Sequence, residues 1–301
     1  MKKRRQLPRG PVGRYVRGLK AGYRASKRVF ILYSILRALV LLTLAYSVIT
    51  RNFESAFACV LSLILFLLPA FVERKMKVEI PDMFLGVIFL FIFAAEIMGE
   101  ANHYYARVPG WDTVLHTLNG FLCAAVGFSL VELLNDGSAK VKLSPIYLVL
   151  AAFCFSMTIG VVWEFFECSV DVLLKKDMQK DHIVKAFTSV MLDPRGMGGR
   201  VRAEDITRTV IETSAGELVV EGGYLDIGLM DTMKDLFVNF VGAVVYSVIG
   251  YVHLKRKDSS ALMDRLTIRR AALTDGEEAA AGARAGGEAE ADSARGQGTA
   301  V

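Results

Sequence analysis

The sequence predicts an all-α polytopic membrane protein with about six transmembrane helices in one bundle. Three observations predict it. Six long apolar runs alternate with short polar joints along the 301 residues, and each run supplies roughly 20 residues, enough at about 1.5 Å per residue to cross a hydrocarbon core about 30 Å thick. The composition is 53% hydrophobic and 22% charged, and the charges gather in the joints and ends instead of dispersing as they do on a soluble domain. Basic residues favour alternate joints, the asymmetry of loops sorted across a bilayer.

The first 28 residues hold eleven Lys or Arg and no acid, with Pro8, Gly10, Pro11 and Gly13 interrupting any regular element. The apolar run that follows has no small-residue cleavage site, so residues 1–29 read as a basic cytoplasmic tail before a retained anchor. Beside a span, such a tail fixes topology or touches anionic lipid, and no nucleic-acid partner is expected. Spans are expected at 30–50, 56–73, 83–104, 112–134, 145–170 and 231–253; Arg37 in the first is placed to snorkel. Arg74, Lys75 and Lys77 follow the second span, Lys140 and Lys142 the fourth, and Lys255, Arg256 and Lys257 the sixth. The joints after the first and third spans hold only Arg51 and Arg107, which gives an N-in/C-in arrangement.

Residues 172–230 then form a small extracytoplasmic segment between helices 5 and 6. Within it, 206–213, a turn at Ser214-Ala215-Gly216 and a return over 217–220 read as a β-hairpin. Residues 30–254 form the membrane domain, this segment included. Residues 255–301 form a second cytoplasmic tail, disordered from about 271, where an Ala, Gly and Glu-rich sequence without aromatics cannot build a core. Cys59, Cys123, Cys154 and Cys168 lie in apolar runs without ligand spacing and read as buried free thiols.

The chemistry follows from where the acids and histidines fall. Glu96, Glu100 and His103 end the third span on one helical face; Asp112 and His116 begin the fourth; Glu164, Glu167 and Asp171 end the fifth; Asp231, Asp235 and Asn239 begin the sixth. Spacings of three and four stack these groups on one face of each helix, and all four faces come to a similar depth in the outer half of the bilayer. Two like charges 4 Å apart repel by about 4 kcal/mol at an effective dielectric of 20. Eight clustered carboxylates therefore need protons, partners such as Lys234 or Arg107, hydration or a metal.

A divalent ion is the expected occupant, with Glu100, His103, Asp112, His116, Glu164 and Asp235 as ligands. Glu100-x-x-His103 has the spacing of four-helix carboxylate sites, although only one such element is present. Carboxylate and imidazole donors without thiolate suit Zn, Mn or Fe. With bound water activated, Glu164, Glu167 and Asp235 are the expected catalytic groups of a hydrolase acting on an amphiphilic substrate from the outer side. Two other readings fit the same residues: a proton- or cation-coupled transporter taking an ionic substrate, and a structural polar network holding helices together. Asp112 and Asp231 also suit plain helix N-caps. Trp111, Trp163, Tyr104 and Tyr105 suit an interfacial belt, and Gly120, Gly127, Gly160, Gly242 and Gly250 suit close helix packing.

The segments DTVLHTLNGF at 112–121, VVWEFFE at 161–167 and GYLDIGLMDTMKDLFVNFVGA at 223–243 resemble the YjdF-like family of uncharacterised bacterial inner-membrane proteins over roughly residues 30–255. The resemblance implies a multi-pass protein of the bacterial plasma membrane whose characteristic polar positions fall here on Asp112 and His116, Glu164 and Glu167, and Asp231 and Asp235. It implies no activity.

Overall fold

The computed structural model describes residues 27–136, 142–256 and 261–270. The basic head up to residue 26 and the tail from residue 271 lie outside the described residues. Among the described residues, six helices are long and apolar enough to cross a membrane. The first, α1, runs over Lys27–Ile49. Only Leu36, Val40 and Ser47 along it are buried, so most of its apolar surface, including Leu42 and Ile49, is left to face lipid.

The second span breaks into α2 (Phe53–Leu65) and α3 (Leu68–Met76), and Pro69 in the first turn of α3 explains the break. Its ring nitrogen has no proton to donate back to the preceding turn, so the ladder cannot run through. Asn52 starts α2 by accepting the Ser55 amide at 3.1 Å. A two-residue strand β1 (Val78–Glu79) leads to the third span, α4 (Asp82–Ile92), which continues as a π-helical stretch over Phe93–Ala101. A short helix α5 (Tyr104–Arg107) precedes the fourth span, α6 (Trp111–Asp136), and the fifth, α7 (Pro145–Leu174), follows.

Residues 175–228 fold as β2 (Ile183–Val184), β3 (Phe187–Ser189), β4 (Val201–Ala203), β5 (Arg208–Thr213), β6 (Gly216–Glu221) and β7 (Tyr224–Leu225). The strands pair antiparallel as β2 with β7, β3 with β4, and β5 with β6. The expected hairpin is the last of these, with Arg208 opposite Glu221 and Thr213 opposite Gly216. The sixth span, α8 (Leu229–Arg256), is followed by α9 (Ala261–Leu266) and β8 (Arg269–Arg270), which pairs with β1.

The spans sort into two groups of three. The first three share a core of Leu36, Val40, Cys59, Phe66, Phe89 and Ile97. The last three pack more tightly, because small residues let their backbones meet. A Cβ on Gly242 would lie 1.9 Å from the Thr117 carbonyl oxygen, and one on Gly120 would lie 2.0 Å from that of Asn239. Side chains extend the same contact: Asn119 Nδ2 donates to Asn239 Oδ1 at 3.0 Å, and Ser156 donates to the Gly120 carbonyl at 2.8 Å. At the opposite end from the strands, Met263, Leu266 and Ile268 insert beside Phe128 and Tyr246, and the Ile268 amide donates to Ser129 Oγ at 3.0 Å. The C-terminal piece thereby closes that end of the seam between the two groups.

Two expectations are corrected. The third span stops being helical at Ala101, short of 104. Cys154 and Cys168 are exposed, while Cys59 is buried and Cys123 half-buried. An apolar run places a residue within a span without saying which face of the helix carries it, and these two thiols fall on the outward face.

Candidate functional site

The polar groups collect at one end of the last three spans, beneath residues 178–180. The sixth span sets the pattern. Asp231, Asp235 and Asn239 are all buried along it, one turn apart on a single face that looks into its own group of three. The fourth span answers with Asp112 and His116, four residues apart, and the fifth with Glu164.

These side chains meet. The Asp112, His116 and Asp235 donor atoms all lie within 4.8 Å of one another. His116 Nε2 is 3.3 Å from Asp112 Oδ1 and 3.7 Å from Asp235 Oδ2, while Nδ1 faces Glu164 Oε1 at 3.9 Å. The imidazole thus turns one nitrogen to a pair of aspartates and the other to a lone carboxylate. The Lys234 ammonium caps the cluster, 2.6 Å from Asp112 Oδ2 and 3.6 Å from both Asp231 Oδ1 and Asp235 Oδ1. One ammonium stands against Asp112, Asp231, Asp235 and Glu164, so further protons or a metal must balance the rest. Asp235 Oδ1 and Glu164 Oε2 are buried without a hydrogen-bond partner. A buried polar oxygen left unbonded is costly, and such an atom at the centre of a cluster marks room for a ligand.

Residues 178–180 are tied across the mouth of this site. Asp171 accepts the Met178 and Gln179 amides at 2.6 and 2.9 Å, Asp231 Oδ2 accepts the Lys180 amide at 2.9 Å, and the Gln179 side chain donates to Thr232 at 2.5 Å. Asp171 and Asp231 therefore hold the covering chain. The N-cap anticipated for Asp231 belongs to Asp226, which accepts the Gly228 and Met230 amides at the start of α8 and the His182 amide at 2.8 Å. Burial raises the Asp226 carboxyl, but the His182, Met230 and Gly228 amides outweigh it and hold the group below the usual carboxylate range. Asp112 spends its carboxylate on Lys234 and His116.

Glu167 lies near but apart. Its Oε1 accepts from Trp163 Nε1 at 2.8 Å one turn back on the same helix, which fixes the indole. Glu100 and His103 line a second cavity of about 260 Å³ with Glu54, Lys176 and Lys180. They are not brought to the Asp112 cluster. The Glu100-x-x-His103 spacing is not helical here: the π-helical stretch ends at Ala101 and His103 takes a left-handed backbone with φ 58°, leaving its ring exposed.

Between the two polar clusters stands Tyr105, packed against Gly99, where a Cβ would lie 2.4 Å from its ring. Burial first, then the charges of Glu96, Glu100, Asp112 and Glu167, pushes the Tyr105 phenol well above its usual range and keeps it neutral. Glu96, 3% exposed with Oε2 unbonded, borders both this second cavity and a larger apolar one of about 430 Å³ that begins at His116.

Sequence reasoning named Lys234 only as one of two balancing cations. Its three contacts were foreshadowed by the D-x-x-K-D run that places it beside Asp235 and three residues after Asp231. Gln179 and Lys180 left no local signal, because they reach the site from 50 residues away along the chain.

Six apolar helices with this internal polar face define a multi-pass integral membrane protein. Over residues 32–256 the chain matches the family described as "Predicted membrane protein (DUF2238)", and it belongs to that family. The match agrees with the YjdF-like resemblance at the level of a membrane-protein family. No curated protein and no solved structure matches the chain.

Proposed function

We propose that the protein is a metal-dependent hydrolase acting on an amphiphilic substrate at the outer side of a bacterial plasma membrane. The observation that carries this reading is the convergence of Asp112, His116 and Asp235 within 4.8 Å, with His116 Nδ1 turned to Glu164. Two aspartates and Nε2 of the imidazole would hold one divalent ion, leaving positions for water, and Zn, Mn or Fe suits such donors. Glu164, 3.9 Å from Nδ1, is the carboxylate that would close on the ring and orient it with a metal bound, the usual task of a carboxylate behind a ligating histidine. Bound there, the ion would acidify a water. Glu164 Oε2, buried and unbonded, is positioned to take the proton, and Asp235 serves as ligand. Glu167 acts through the Trp163 indole it holds on the cavity wall.

The outward orientation rests on the basic joints and on parity: six spans put both ends of the membrane domain on one side, and Lys255 and Arg256 mark that side as cytoplasmic. A proton or ion path would carry polar groups on toward the cytoplasmic end. Below His116 the seam instead passes Asn119 and becomes apolar at Leu122 and Val126, which suits a hydrocarbon tail better than an ion.

Elemental mass spectrometry on detergent-purified protein tests the reading, beside a variant carrying His116→Ala and Asp235→Asn. About one Zn, Mn or Fe per chain is expected, lost in a variant that remains monodisperse. Wild-type protein without metal after extraction in chelator-free buffer sinks the proposal.

A further inference from the structure

The apolar cavity that begins at His116 lies in the seam between the two groups of three spans. Its walls are Pro69 and Val72 of the second span, Ile88 and Ala95 of the third, and Leu122 and Val126 of the fourth, with Phe155 and Ile159 of the fifth. Along the fourth span it extends from Leu115 to Val126, about 16 Å of helix at 1.5 Å per residue. Glu96, Tyr105, His116, Asn119 and Trp163 gather at its polar end, and Ile80 and Ile268 close the other. Ile268 stands just before β8, the strand that pairs with β1, and Ile80 just after β1.

The cavity opens sideways. Leu68 and Ile159 line it yet are 53% and 37% exposed, so the gap between the second and fifth spans gives onto the bilayer interior. Water is not held by an apolar space of this kind, and an empty one forfeits the contacts of its walls. In a membrane the available filler is a lipid chain.

We infer that the seam takes one hydrocarbon tail of a membrane lipid, entering between the second and fifth spans with its polar end at His116 and its methyl end on Ile268. As a statement about substrate this rests on the metal-site reading; the tail site itself rests on the cavity. A volume of about 430 Å³ holds about fourteen groups at about 30 Å³ each, the share of liquid volume that a water takes and a methylene roughly matches. The tail site is therefore a ruler for chains of about that length, with the C-terminal segment as its stop.

The test is binding of monoacyl glycerophosphates with 8, 14 and 20 carbons, read by native mass spectrometry on the full chain released from detergent, with metal content measured on the same samples. Wild type should bind the 14-carbon probe at least tenfold more tightly than the 8-carbon one, with no further gain at 20. Ile88→Trp, which fills the seam midway between Ile80 and Glu96, should erase that preference with metal retained, and Ile268→Ala should move the optimum to longer chains. Should Ile88→Trp not be monodisperse, Ile159→Trp from the facing wall is read the same way. Affinity that climbs steadily with chain length, alike in wild type and filled variant, overturns the tail site. A chain-length optimum in protein that holds no metal keeps the tail site and overturns the hydrolase.

Discussion

Replacing Lys234 with methionine separates a metal site from a purely structural polar network. The Lys234 side chain is 39% exposed, and its ammonium lies 2.6 Å from Asp112 and 3.6 Å from Asp231 and Asp235. Breaking a buried ion pair costs about 3–5 kcal/mol because the partner charge is stranded, and breaking an exposed one costs about 0–1 kcal/mol. Partial exposure puts the loss at about 2 kcal/mol, a fall in melting temperature of about 3 °C for a chain of this size. A divalent ion at about 100 times its Kd returns about 2.7 kcal/mol to the state that binds it. Lys234→Met should therefore melt about 3 °C below wild type in chelator, and saturating Zn, Mn or Fe should recover most of that gap. The assay is thermal unfolding in detergent followed by Trp fluorescence, with and without chelator. A loss that no divalent ion reverses would mean that the lysine holds a structural network; no loss in chelator would mean that it does not balance these acids at all.

Three further outcomes are expected. Glu164→Gln should weaken metal binding roughly 10- to 100-fold, the usual loss when the partner of a ligating histidine goes, whereas Asp235→Asn should abolish it; equal losses in isothermal titration would remove Glu164 from the orienting role. Gly242→Ala should lower thermal stability by about 1–3 kcal/mol through overpacking, since its Cβ would lie 1.9 Å from the Thr117 carbonyl. Gly86→Ala, with nothing nearer than 3.6 Å, should be tolerated, and similar behaviour of the two in detergent melts would contradict the close approach of the fourth and sixth spans. Asp226 has a lowered carboxyl, so its contribution to stability is complete above the unfolded value near 3.9 and is lost as pH falls through the lower folded value. Hydrogen exchange at His182 and Met230 should be protected in wild type down to about pH 4 and about fivefold faster at neutral pH in Asp226→Ala, for a cap loss of about 1 kcal/mol; unchanged protection in the variant would show that other contacts hold this corner.

The spans were legible because hydropathy and length are properties of a stretch of chain, and the stripe of Asp231, Asp235 and Asn239 was legible because an unbroken helix turns spacing directly into a face. The same rule misplaced Glu100 and His103. A π-helical stretch takes more residues per turn than an α-helix, and the left-handed residue at 103 ends the repeat before the histidine is reached, so the third span delivers its acids to a second cavity. Asp112, His116, Glu164 and Asp235 escaped that fate because the fourth, fifth and sixth spans are regular helices pressed together at Gly120, Gly160 and Gly242. Close packing fixes the relative rotation of three helices at once, and with rotation fixed, residues spaced by one turn on each must meet. Among the described residues the seam to the first three spans has no such glycine contact, and there the sequence pattern could show apolar faces without showing the space between them. The loosely packed side of the molecule thus holds the cavity and the tightly packed side holds the Asp112, His116 and Asp235 cluster, with His116 on the wall they share. A tail bound in the seam would present its polar end to the one residue of that cluster that also lines the cavity.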